Sequence, residues 1–131
     1  MIQVQKFIFN PFLENTYVAW DDKSSEALVI DPGCSNDNEE KFLSDFIEKN
    51  NLVLKYLINT HCHIDHILGN SFIKEKFNPT LLMPEKDIFL LDIMKEQANY
   101  FGIKFKPSPM PDDLLSEDKI LKLGHSEMKF L

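Results

Sequence analysis

Apolar and polar side chains nearly alternate at the start of the chain. Val4, Lys6 and Ile8 fall on one side, and Gln3, Gln5, Phe7 and Phe9 on the other, up to the turn dipeptide Asn10-Pro11. Such a period of two predicts a strand. Residues 15–20 form a second β-prone run, closed by the polar cluster at 21–25, and Ala27-Leu28-Val29-Ile30 is a short continuous apolar strand ending at Asp31-Pro32-Gly33. With connections this short, the three strands are expected to form an antiparallel meander.

The period then changes. Capping oxygens between Ser35 and Asp37 precede Glu39 and Glu40, and Phe42, Leu43, Phe46 and Ile47 make one apolar stripe before Asn50-Asn51. This predicts a helix. A buried strand is expected over residues 52–59, running straight into Thr60-His61-Cys62-His63. A short helix is expected from His66 to Lys76, stopping before Asn78-Pro79. Residues 80–83 read as a strand. Pro84 then suits the first position of a helix marked by Ile88, Leu91, Met94, Ala98 and Phe101 and ending at Gly102. Residues 103–113, with Pro107, Pro109 and Pro111, read as a loop, and the runs 119–123 and 127–131 as a hairpin around Gly124-His125. The final run has no polar tail and suggests a chain cut inside a strand.

At 131 residues the chain fits one domain, and 44% hydrophobic against 27% charged residues can support a packed core. A net charge of −7 disfavours nucleic-acid partners and anionic membrane surfaces. No apolar run approaches the ~18–20 residues of a membrane span, and the N-terminus does not read as a signal peptide. Two cysteines, Cys34 and Cys62, suit a reducing cytoplasm rather than a disulfide scaffold.

The candidate chemistry is concentrated in six residues. Three of the four histidines and one aspartate lie at His61, His63, Asp65 and His66. His-x-His at the end of a strand puts both imidazoles on one side, because side chains alternate with period two. Asp65 and His66 follow at a helix start, where a carboxylate oxygen and another imidazole can join a metal. Imidazole and carboxylate donors suit Zn²⁺, Fe²⁺ or Mn²⁺ and exclude an all-oxygen Ca²⁺ cage. The bland alternative, a chance cluster on a solvated loop, does not explain this alternation.

His61-Cys62-His63-Ile64-Asp65-His66 resembles the H-x-H-x-D-H signature of the metallo-β-lactamase-fold hydrolases. Asn15-Thr16-Tyr17, residues 28–33, Thr60 and Gly69-Asn70 are similar to its hydroxyacylglutathione hydrolase (glyoxalase II)-like branch. The resemblance implies an α/β (α+β) fold, the N-terminal half of an αββα sandwich with a mixed β-sheet and flanking helices, and residues 1–131 as the N-terminal part of a single domain. It implies that His61 and His63 bind a first zinc and Asp65 and His66 a second, with Asp65 catalytic together with a metal-bound water. The nucleophile would be a metal-bound hydroxide and the substrate a small-molecule thioester or related ester. Family members continue past residue 131 and supply the remaining ligands there. This chain alone is therefore expected to be incomplete and inactive, to bind metal weakly, and to self-associate through the face left by the missing half. Two rivals stand beside it: a mononuclear-iron persulfide dioxygenase of the same fold, and a non-catalytic truncated binding or assembly module. Nuclease relatives are disfavoured by the charge.

Other residues carry less. Asp31, at a strand end, could orient a ligand histidine from behind. Alternation points Cys62 into packing, away from the metals; Cys34 reads as a buried or capping residue, and His125 as a solvent-facing turn residue. Tyr17 and Trp20, Phe42 with Phe46, and Phe89 with Tyr100 and Phe101 read as core. The pairs Glu39-Glu40 and Asp112-Asp113 read as solvated.

Overall fold

The structure, a computed structural model, describes residues 1–130. A six-stranded mixed sheet runs in the order β1 (Ile2–Phe9), β2 (Glu14–Asp21), β3 (Glu26–Ile30), β4 (Val53–Ile58), β5 (Thr80–Met83) and β6 (Asp113–Leu114). The first three strands form the expected antiparallel meander, in which Phe7 faces Thr16 and Tyr17 faces Ile30. From β3 to β6 the pairing is parallel, with a register shift between Ala27 and Leu28. Parallel neighbours need crossovers. Those crossovers carry the helices α1 (Asp37–Lys49), α2 (Ile64–Ile67), α3 (Asn70–Phe77), α4 (Phe89–Asp92) and α5 (Met94–Phe101). The mixed sheet with flanking helices is the fold class the sequence predicts.

Period two divides the core into two layers. On the helix side, Phe7, Val18, Val29, Leu57, Leu81 and Met83 pack with Leu43, Ile47, Ile73 and Met94. On the other side, Ala19, Leu28, Ile58 and Leu82 lie beneath Leu121 and Leu123 of a separate hairpin, β7 (Ile120–Leu123) and β8 (Ser126–Lys129). That hairpin covers the middle of the second face and leaves Val4 and Ile8 of the edge strand exposed. The last residue of the predicted final strand, Leu131, lies outside the described residues.

Helix α1 is capped as expected: the Asn36 side chain accepts from the Glu39 N–H at 2.9 Å. The predicted helix from His66 to Lys76 is instead two, broken at Leu68-Gly69. The Gly69 N–H donates to the Pro32 carbonyl at 2.7 Å, and a Cβ there would lie 2.4 Å from Cys34 Sγ. Close packing on the 31–34 loop therefore overrides helix continuity. The predicted helix from Pro84 to Gly102 is likewise split into a 3₁₀ turn at Glu85–Asp87, α4 and α5, with Gly102 ending α5 in the left-handed region at φ 67°. Inside the predicted loop, residues 113 and 114 pair with β5.

The aromatic expectations need correction. Phe89, Tyr100 and Phe101 are exposed, as is Phe42, while Met94, Ala98, Leu43 and Ile47 fill the inner stripes. Helical spacing marks a face, and here the aliphatic residues take the inside. Tyr17 and Trp20 are half-buried rather than fully core, with Trp20 edge-on to Phe46.

Candidate metal centre

The site lies where parallel strands β3 and β4 end, the edge of an open α/β sheet where ligands commonly bind. The strand ends are tied together by the Asp31 N–H, which donates to the Ile58 carbonyl at 2.8 Å. Asp31 itself adopts φ 54°, turning its carboxylate back over β4. Oδ1 accepts from the Thr60 N–H at 2.7 Å, and Oδ2 from the Thr60 hydroxyl at 2.5 Å. Oδ2 also lies 3.1 Å from His66 Nδ1.

Thr60 Oγ1 is 3.1 Å from His61 Nδ1. Its only proton goes to Asp31, so the hydroxyl can only accept from the ring. That contact selects the Nδ1–H tautomer of His61 and leaves Nε2 as a lone-pair donor. His61 and His63 are both exposed, their rings 6.2 Å apart and 19° from parallel; the His61 and His66 rings are 5.5 Å apart. His66 Nε2 is 3.5 Å from Asp65 Oδ2. Cys62 between them is buried against Met83, Sγ to Sδ 3.5 Å, so alternation separates it from the imidazoles.

Buried amides hold the ligand-bearing segment. Asn10 Nδ2 donates to the Gly33 and Asp65 carbonyls at 3.0 and 2.9 Å. Asn59 Nδ2 donates to the His66 carbonyl at 3.2 Å and to Asn70 Oδ1 at 3.1 Å, while Asn70 Nδ2 returns a bond to Asn59 Oδ1 at 2.8 Å. An open cavity of about 900 Å³ adjoins His61, lined by Thr60, Pro84, Lys86, Ser116 and Phe130 among others.

The hexapeptide's four candidates share one end of the fold, but their donor atoms do not all converge. Among the described residues, the set of three donors within 4.8 Å of one another is Glu14, Asp31 and His66. Glu14 is absent from the sequence reading. Its signal was available, because counting back by two from Val18 puts Thr16 and Glu14 on the inward face. The exposed imidazoles of His61 and His63, with the Asp65 carboxylate beside His66 Nε2 at the same sheet edge, are nitrogen and carboxylate donors that fit a divalent metal. His125 lies elsewhere, exposed beside Gly124, whose N–H donates to Glu26 at the opposite end of β3.

Burial pushes the Glu14 carboxyl up to about 8. The Asp31 carboxylate beside Nδ1 raises the His66 imidazole above its ordinary value, with Asp65 and Glu14 adding to the effect. Burial pushes the Cys62 thiol up to about 12, so no thiolate nucleophile is available there near neutral pH. The Cys34 thiol is also raised by burial.

The profile of the metallo-beta-lactamase superfamily matches residues 9–126. The hydroxyacylglutathione hydrolase GloC of Haemophilus influenzae is 36% identical over 122 residues, 92% of this chain and 55% of that protein. The mitochondrial persulfide dioxygenase ETHE1 of Mus musculus is 37% identical over 59 residues, 45% of this chain and 22% of that protein. The crystal structure of the BLEG-1 B3 metallo-beta-lactamase superposes with a TM-score of 0.80 at 22% identity, covering 97% of this chain and 59% of that one. The chain thus spans about half the length of the curated relatives it matches over most of its own length.

Proposed function

The chain belongs to the metallo-beta-lactamase superfamily, and we propose that it carries the N-terminal part of a metal-dependent hydrolase of thioesters or related esters, similar to the hydroxyacylglutathione hydrolases. In this reading His61 and His63 hold a first divalent metal, zinc by preference, and Asp65 and His66 a second. When bound, such ions activate water at neutral pH and polarise the substrate carbonyl.

The chain's own residues prepare for that chemistry. Thr60 holds the His61 ring by Nδ1, Asp31 backs the His66 ring by Nδ1, and both imidazoles keep Nε2 for a ligand. Asp65 is held through its carbonyl by Asn10, which leaves its carboxylate free to hold a metal and accept a proton there. The cavity beside His61 offers room for an acyl chain or its thiol carrier. No cysteine takes part.

The observation that carries the reading is this pair of backed imidazoles at one strand end. A persulfide dioxygenase of the same fold, using one iron, is the second reading. The hydrolase is preferred because its relative matches 92% of this chain and the dioxygenase 45%. Turnover of a generic acyl thioester by the full-length protein carrying this chain, with metal content measured on the same sample, tests the proposal. Thioester hydrolysis with two zinc ions supports it. Oxygen uptake with a persulfide and one iron transfers it to the dioxygenase reading, and a metal-loaded protein inert to thioesters contradicts it.

A further inference from the structure

Behind His66 lies a second carboxyl besides that of Asp31. Glu14 opens β2, and its side chain is 2% exposed. Oε1 is 3.6 Å from His66 Nδ1, beyond hydrogen-bond distance, and neither atom has a hydrogen-bond partner among the described residues. Leaving a buried carboxyl oxygen without a partner costs free energy, so a neutral role in packing does not account for it.

The other oxygen is wedged among groups that define the site. Oε2 is 3.0 Å from Thr16 Oγ1, and a Cβ on Gly33 would lie 2.2 Å from it and 2.8 Å from the Asp65 carbonyl. The Thr16 hydroxyl also accepts from the Gly33 N–H at 3.0 Å and donates to the Asp31 carbonyl at 2.8 Å. It has one proton, which the carbonyl can only accept. A lone pair is left facing Glu14 Oε2. A side chain with a donor end toward Thr16 and an acceptor end facing the imidazole edge suits this place.

We propose that Glu14 is a positioning residue for His66, whose buried carboxyl, anchored on Thr16 and packed against Gly33, fixes the imidazole by its Nδ1 edge and keeps Nε2 turned toward Asp65. With Asp31 it makes a two-carboxyl backing for a single ligand histidine. The inference deepens the metal-site reading, and one arm of its test needs no metal.

Glu14→Gln and Glu14→Leu are compared with the parent in the 131-residue chain. Ring ¹⁵N NMR reads the His66 tautomer in the metal-free chain, and zinc titration reads affinity. The Gln variant keeps one donor and one acceptor end, so it keeps a single Nδ1–H tautomer and a zinc affinity within about threefold, whereas the Leu variant mixes tautomers and binds zinc roughly 10–100-fold more weakly. Should Leu fail to fold, Gln still decides through the same two readouts. A single tautomer and full affinity in the Leu variant overturn the proposal. So does a Gln variant as impaired as Leu, which would make the negative charge, or a cation held between Glu14, Asp31 and His66, the reason for the carboxyl. Absence of zinc binding in the parent defeats the metal reading instead, and the tautomers still decide the role of Glu14.

Discussion

His66 presents Nδ1 to Asp31 Oδ2 at 3.1 Å and Nε2 to Asp65 Oδ2 at 3.5 Å, so one imidazole joins the loop after β3 to the ligand segment after β4. Asp31 also takes both the N–H and the hydroxyl of Thr60. Replacing it by Ala removes those acceptors together. Asp31→Ala should weaken metal binding roughly 10–100-fold and lower stability by about 2–4 kcal/mol, since two hydrogen bonds to a charged group are lost. Zinc titration and urea unfolding check this.

Gly33 has no room for a side chain. A Cβ there would meet Glu14 Oε2 at 2.2 Å, Asn10 Nδ2 at 2.7 Å and the Asp65 carbonyl at 2.8 Å. Gly33→Ala should cost about 1–3 kcal/mol by overpacking and weaken metal binding by displacing the 65–66 segment. Urea midpoints and zinc affinities measured side by side check it; unchanged values for both would show that the loop can yield.

In the full-length protein carrying this chain, Cys62→Ser should leave metal content and thioester turnover unchanged. The thiol lies on the core side of the segment with its pKa pushed up to about 12. The cost falls on stability, about 1–3 kcal/mol for a hydroxyl in an apolar site. Lost hydrolysis with metals retained would replace the metal-centred mechanism with a cysteine nucleophile.

Asp112 joins the loop before β6 to β5. Its Oδ2 accepts from the Leu81 N–H at 2.8 Å and pairs with Lys74, which also donates to the Pro79 carbonyl. These contacts hold its carboxyl below its ordinary value of 3.8. A depressed folded pKa adds stability above the unfolded value and loses it as pH falls through the folded one. The stability gap between the parent and Asp112→Asn should therefore be full at pH 6 and close as the solution is acidified below about pH 4. Urea unfolding across that range measures it, and a gap independent of pH would contradict the ion pair.

We also propose that the chain self-associates through the second sheet face, where Val4 and Ile8 remain exposed beyond the cover of the β7–β8 hairpin. Sedimentation should show concentration-dependent dimers weakened by Val4→Lys and Ile8→Lys. A monomer at high micromolar concentration that binds no apolar dye would contradict this.

The strands were legible because alternation in β1 and the apolar runs of β3, β4 and β5 report directly on burial. The helix break at Gly69 was not, because it arises from contacts distant in sequence, against Pro32 and Cys34. The dense hexapeptide marked the candidate ligands, and the strand-end position of Asp31 marked its place behind them. Glu14, Asn10 and Asn59 escaped because each is a single polar residue whose meaning depends on which group it reaches, and Thr60 was marked by the family resemblance alone. Phe89, Tyr100 and Phe101 misled for the opposite reason: size suggests burial, but the aliphatic stripe of α5 already fills the core.

Zinc titration of the 131-residue chain and of its His61→Ala/His63→Ala variant tests the metal-centre claim most directly. The parent should bind zinc with an affinity weaker than micromolar, and the double variant should lose binding at the first position while unfolding in urea like the parent. Equal zinc affinity in parent and variant would contradict the claim.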